Sequence, residues 1–272
     1  MSLLVTRNLR GVTVRPARFR TLTIAAIVLL GLTVIWGFAD TRTIEGIPVW
    51  MKPLKFALSF ATLFGTVALV ETRLSDRERD GSPMRIAGWV MATAFLFEMG
   101  YMIYQAAHAE ASHFNRSTPF HEFMYSAMGG GAVALVVATA TIGWVVKRDK
   151  TANLSPTLRE AIWLGFLLTF VSTMIVAGYM GSGAGHFVGV HPEDAPTIPL
   201  FGWSGVTGDL RPAHFVSLHA MQALPLLAIC LNRVGQGTNS VRSVRIAAVG
   251  YLLLTLALFT QALMGLPLLP LS

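Results

Sequence analysis

The chain carries seven histidines in three short groups: His108, His113 and His121; His186 and His191; His214 and His219. Imidazole is the commonest metal ligand and changes charge near neutral pH. Met102, Met128 and Met221 stand close to these groups in sequence, and thioethers are soft donors that suit Cu(I). Glu98 lies inside an apolar run, flanked by Phe95, Leu96, Phe97 and Met99, with no cation nearby on its own segment. A carboxyl in that setting is by default a ligand, a proton relay or a neutral acid kept protonated by loss of hydration. The densest stretch is GDLRPAHFVSLHAMQALP, residues 208–225, which carries Asp209, Arg211, His214, Ser217, His219 and Gln222 into a helix start. Polar groups of this kind are costly in hydrocarbon unless they are compensated.

The elements that must position these residues are membrane spans. Apolar residues make up 53% of the chain and charged ones only 13%, about half the usual share in a soluble domain. Seven apolar blocks are long enough to span, near 21–38, 54–70, 86–107, 120–146, 160–180, 213–232 and 246–266. The expected fold is therefore an all-α bundle of seven transmembrane helices. A basic arm (1–20) precedes the membrane domain (21–266), which includes a long loop at 181–211, and a tail (267–272) follows. The first block follows arginines as a signal peptide would, but no small-residue cleavage site follows Phe38 and further spans do, so it reads as a retained helix. Cys230 is the single cysteine, which rules out an intramolecular disulfide and a thiolate metal cage.

Charge gives the orientation. Sixteen of the 21 basic residues fall in the arm and in the segments after the second, fourth and sixth spans. Only Arg42, Lys52, Lys55, Arg116 and Arg211 fall on the other side. The positive-inside rule puts the N-terminus in the cytoplasm and the C-terminus in the periplasm of a bacterial inner membrane. The net charge of +7 is then a topology signal, and no nucleic-acid partner is needed to explain it. All seven histidines fall on the outer side.

An internal repeat adds to this asymmetry. GYMIYQAAH (100–108) and GYMGSGAGH (178–186) match at Gly, Tyr, Met, Ala and His. Each is followed by a helix that opens Pro-x-His, at Pro119–His121 and at Pro212–His214, with Pro53–Lys55 as a weaker third case. Proline suits the first turn of a helix, where its missing N–H is not required. Three similar hairpins and an unpaired last helix are expected, with Lys55, His121 and His214 about one turn inside three helix starts. Helical spacing puts Glu98, Tyr101 or Met102, Gln105 and His108 on one stripe. His219 points about 140° away from His214, so the two cannot chelate one ion from a regular helix.

SHFNRSTPFHEFMYSAMGG (112–130), GWSGVTGDLRPAHFVSLHAMQALP (202–225) and KPLKFALSF (52–60) carry a resemblance. In these stretches the chain resembles a group of uncharacterised bacterial seven-helix integral membrane proteins. The resemblance implies fold, membrane location and the importance of these segments, and it implies no activity. The last helix lacks the Schiff-base lysine of a rhodopsin, and His214-x4-His219 departs from the HxxxH pair of the ceramidase-like hydrolases.

Two functional readings follow. In the first, the outer face holds haem b or a transition metal, Zn or Cu. His121 and His214 are its main ligand pair, His108, His186, Met128 and Met221 are further donors, and Glu98 is the relay or base. Such a site would act on a quinone or a lipid, in redox or hydrolytic chemistry. In the second, Lys52, Lys55, Arg116 and Arg211, beside outward-pointing helix N-termini, hold an anionic small molecule or lipid headgroup without metal. An accessory subunit of a membrane complex is a third, non-catalytic possibility.

Overall fold

A computed structural model describes residues 18–183, 185–192, 194–233 and 239–271. The basic arm lies outside the described residues except for Arg18, Phe19 and Arg20, which already belong to the first helix. The helices are α1 (Arg18–Ala39), α2 (Met51–Glu71), α3 (Asp76–Arg79), α4 (Ser82–Ala107), α5 (Pro119–Arg148), α6 (Pro156–Ser182), α7 (Arg211–Arg233) and α8 (Asn239–Leu263). All but the four-residue α3 are long and apolar enough to cross a membrane, seven in number among the described residues. The chain is an integral membrane protein built as a helical bundle.

The helix ends follow local chemistry. The Thr118 hydroxyl accepts a hydrogen bond from the His121 backbone N–H at 3.2 Å, Pro119 follows the cap, and Glu122 sits in the first turn of α5. Ser155 caps α6 in the same way, accepting from Leu158 N–H at 3.2 Å ahead of Pro156. The last helix starts seven residues before the expected block, at Asn239 instead of 246. Its charged first turns are held by Arg245 Nε, which donates to Glu160 Oε1 at 2.7 Å. It ends before Gly265, whose φ of 76° and the nearby Pro267 stop a helix.

Neighbouring helices pack in sequence: α1 lies against α2, α4 against α5, α5 against α6 and, most closely, α6 against α7, while α8 covers α6 and α7. The α5–α6 contact between two of the expected hairpins is thus as close as the α4–α5 contact within one. Glycine permits the closest approach: a Cβ on Gly165 of α6 would stand 2.7 Å from the Ala220 carbonyl oxygen of α7. One core cluster joins Phe60, Phe64, Phe95, Met102, Met128, Phe166 and Met221, from α2, α4, α5, α6 and α7. The outside of the bundle is apolar, as lipid requires: Leu69, Trp89 and Leu96 are about 70% exposed (72%, 70% and 69%). On α4 the buried positions 84, 87, 88, 91, 94, 95, 98, 99, 101, 102, 105 and 106 form one helical stripe. Glu98 occupies a core position in that stripe, two residues from lipid-facing Leu96.

The two ends of the bundle differ. At the basic end, each of several carboxylates is paired: Glu160 with Lys147 at 2.6 Å and with Arg245, and Glu78 with Arg148. At the histidine end, short two-residue ladders shape the loops. β1 (Thr43–Ile44) pairs with β2 (Ile47–Pro48). The long loop is a doubled-back ribbon in which β3 (Phe187–Val188) pairs with β6 (Gly208–Asp209), and β4 (Thr197–Ile198) pairs with β5 (Trp203–Ser204).

Candidate functional site

The long loop is clasped by one carboxylate. Asp209, buried at 3% exposure, accepts from the Ser204 backbone N–H at 2.9 Å and from the Arg211 backbone N–H at 3.0 Å. The Arg211 guanidinium closes the clasp, with Nη2 at 2.6 Å and Nε at 2.9 Å from the two carboxylate oxygens. Arg211 Nη2 also donates to Gly202 O at 2.7 Å, and Leu210 N–H donates to His186 O at 2.9 Å. The loop tip bends back over the bundle, where Lys55 Nζ donates to Phe201 O at 3.2 Å and Phe201 stacks on Trp203, centroids 4.4 Å apart. The α1–α2 loop is tied down by Arg42, which binds Asp40 and donates to Ala107 O at 2.9 Å. The Arg42 guanidinium beside Asp40 holds that carboxyl well below the usual carboxylate range.

Under these loops a chain of rings crosses the histidine end. Phe56 of α2 meets His113 at 5.4 Å, and Tyr125 of α5 meets both His113 at 6.5 Å and Phe114 at 5.3 Å. Phe114 then meets His186 at 6.3 Å, and His186 meets Phe187 at 4.2 Å. Phe114 adopts φ of 58°, an uncommon conformation for an aromatic residue, and this turn aims its ring into the cluster. Three cations border the rings. Arg116 lies over Tyr125 at 5.6 Å and Arg211 over Phe187 at 5.2 Å. Lys52 acts electrostatically on both His113 and His186.

The electrostatics keep these imidazoles neutral. Loss of hydration, and then the Lys52 charge, pushes His113 down to about 3. His186 is pushed down to about 4, by burial first and by Arg211 next; Asp209 pulls it back upward, and Lys52 and His191 add to the depression. A neutral imidazole can both donate and accept a hydrogen bond, so these two rings are polar without adding charge.

The expected metal donors are placed as follows. His121 has both ring nitrogens engaged, Nδ1 at 2.9 Å from the Ser117 hydroxyl and Nε2 at 3.2 Å from Glu110 Oε2. His108 is exposed, with Nδ1 donating to Tyr104 O at 2.8 Å. His186 belongs to the ring cluster described above. Nδ1 of His214 is shut from solvent and makes no hydrogen bond. Met128 and Met221 are each 2% exposed and share the central core with Met102. Among the described residues no three His, Cys, Asp or Glu side chains converge on a point where they could share an ion. Glu98 sits apart from the ring cluster, against Gly131 of α5. His219 bonds Gln222, which donates to Thr66 of α2 at 3.0 Å, so this pair ties α7 to α2.

The anion set divides into two kinds. Arg211 is neutralised by Asp209 and holds the loop. Lys52, Lys55 and Arg116 have no carboxylate within ion-pairing distance among the described residues. No family model, curated protein or solved structure matches this chain. Its function therefore has to be read from the chemistry of the site. His113, Tyr125 and Phe56 were not picked out as site residues by spacing, because each sits in a different segment; the one available signal was that His113 follows Ser112 in a polar loop between two spans. Glu110, the partner of His121, carries no signal of that pairing in the sequence.

Proposed function

We propose that the protein is a membrane-embedded binder or carrier of an anionic, partly apolar molecule, taken up at the histidine end of the bundle. By the positive-inside rule that end faces the periplasm of a bacterial inner membrane. The observation that carries the reading is that Lys52 and Arg116 border a chain of aromatic rings and two neutral imidazoles, with Lys55 nearby under the loop tip, and that among the described residues none of the three forms an ion pair, Glu45 acting on Lys52 only at longer range. Lone cations at a helix N-terminus favour a carboxylate or phosphate. Rings next to them favour an apolar body attached to that group. A phospholipid headgroup and a soluble phosphate share this chemistry. Thermal stability of the detergent-solubilised protein tests it: phosphatidylglycerol of short chain length should raise the melting temperature, and phosphatidylcholine should not. Glycerol 3-phosphate separates the two sources, since it stabilises only if the acyl chains are dispensable. Equal response to both lipids would refute the reading.

A bound metal or haem b is the second reading, favoured by one observation: Nδ1 of His214 is buried without a hydrogen bond. The chemistry would then be redox with a quinone or metal-assisted hydrolysis of a lipid. A Soret band or stoichiometric zinc or copper in the purified protein, lost in His214→Ala and His121→Ala, would support it over the anion reading.

A further inference from the structure

Glu98 is unused by the anion site, and its surroundings have a chemistry of their own. The residue is 3% exposed, in the middle of a 26-residue helix, and its Oε1 makes no hydrogen bond. That oxygen is aimed at the bare backbone of Gly131 on α5, where a Cβ would stand 2.7 Å away. Two further buried atoms on the same face of α4 are unpartnered, the Tyr101 hydroxyl and Gln105 Oε1, from residues 7% and 1% exposed. The spacings of three and four residues put Glu98, Tyr101 and Gln105 in line, spanning about 10 Å along the axis. The line continues beyond the helix. Gln105 Nε2 donates to Glu110 Oε2 at 3.3 Å, the same oxygen stands 3.2 Å from His121 Nε2, and the Glu110 side chain is 49% exposed at the histidine end.

Among the described residues, the charged groups of the elements packed against α4 lie at the two ends of the bundle. α1 offers Arg18 and Arg20, α3 offers Asp76, Arg77, Glu78 and Arg79, and α2 offers Glu71, all at the basic end. The other ionisable groups of α2 are Lys52 and Lys55 at the histidine end, and those of α5 are His121, Glu122 and Tyr125 there and Lys147 and Arg148 at the basic end. A buried polar atom left alone costs about 1–3 kcal/mol, so three in a row are expected to be linked by water, which needs two to four polar partners.

We infer that Glu98 is a proton-binding site that exchanges with the histidine end through Tyr101, Gln105 and Glu110. A proton leaves hydronium or buffer at the exposed Glu110, passes along this line and binds the Glu98 carboxylate, which becomes a neutral acid; the bundle gains one positive charge. On α4 no comparable polar line leads to the basic end among the described residues: below Glu98 the stripe continues as Phe95, Ala94, Met91 and Gly88. This inference stands on α4 and α5 and does not depend on the anion reading.

Infrared difference spectroscopy on the full chain in oriented proteoliposomes tests it. A pH step on the histidine-end side should produce a protonated-carboxyl carbonyl band, absent from Glu98→Gln, while the same step on the basic-end side should not produce it at the same rate. Gln105→Leu should keep the band at equilibrium and slow its appearance by about tenfold, the rate equivalent of one neutral hydrogen bond lost from the path. If Glu98→Gln does not fold, Gly131→Ala serves in its place: the methyl crowds Oε1 and should shift the band frequency. A band that survives in Glu98→Gln, that does not respond to pH, that follows the basic-end pH, or that keeps its rate in Gln105→Leu would overturn the inference.

Discussion

Asp209→Asn is the perturbation whose consequence can be worked out most fully. The wild-type carboxylate holds four donors: the backbone N–H groups of Ser204 and Arg211, and two nitrogens of the Arg211 guanidinium. Asparagine keeps the shape but replaces one acceptor with an NH2 donor, so at least one of these donors faces another donor. A buried donor left unsatisfied costs about 1–3 kcal/mol. Breaking a fully buried ion pair costs about 3–5 kcal/mol, but Arg211 keeps 26% exposure, so water recovers part of that. A total near 3 kcal/mol is expected, about a hundredfold in an opening equilibrium. The clasp joins Ser204, Gly202 and Arg211 and, through the β3–β6 ladder, Phe187 and Val188, so the opening should be local to the long loop. Hydrogen exchange should therefore accelerate about a hundredfold at the amides of Ser204, Leu210 and Arg211, with little change at Glu98 or Met128 in the core. Unchanged exchange at Ser204 and Arg211 would refute the clasp, and uniform acceleration through the core would show that the loop is not a separate unit.

Other expectations follow from the same geometry. Gly165→Ala would push a methyl to 2.7 Å from the Ala220 carbonyl, and such overpacking of α6 on α7 should cost about 1–3 kcal/mol, read as a lower melting temperature in detergent. Acidification should destabilise the fold through His113 and His186. Their folded-state values, about 3 and about 4, lie below the unfolded one, so stability is full above about pH 6.5 and falls by up to about 1.4 kcal/mol per unit per residue as the pH drops toward them. Melting curves between neutral and mildly acidic pH should show this slope, and His113→Gln should flatten it. Orientation can be read by cysteine labelling in a Cys230→Ser background: Leu200→Cys, at a position 86% exposed on the loop tip, should react with an impermeant maleimide from the periplasm, and Arg77→Cys should not. The opposite pattern would invert the assignment of the two ends.

The fold was legible because lipid imposes a simple rule on sequence: a spanning stretch must be apolar and must satisfy its own backbone. All seven blocks became helices, and Thr118-Pro119 became a cap and first turn as its residue types require. The start of α8 was less legible, since Arg242 and Arg245 argue against a span until Glu160 of α6 is known to face Arg245. The site was legible only in part. The histidines could be assigned to one end by counting charges, but their partners come from other segments: His121 is taken by Glu110, and Arg211 is taken by Asp209 two residues away. Arg211 and Lys52 look alike in sequence; only the contacts show that Arg211 is in a close ion pair with Asp209, while among the described residues Lys52 has no carboxylate within ion-pairing distance. His113 gives no sign of its site in the sequence for the same reason: its neighbours Phe56, Lys52 and Tyr125 belong to two other helices.

The central claim is that the cations at the histidine end hold an anionic group. Calorimetric titration of the purified chain with short-chain phosphatidylglycerol tests this directly. The account predicts saturable binding that weakens about 10- to 100-fold in Lys52→Ala and in Arg116→Ala, the loss of one charge-assisted hydrogen bond each, and that weakens further in high salt. Binding that is unchanged in both variants, or no binding at all from a sample that carries stoichiometric metal or haem, would contradict it.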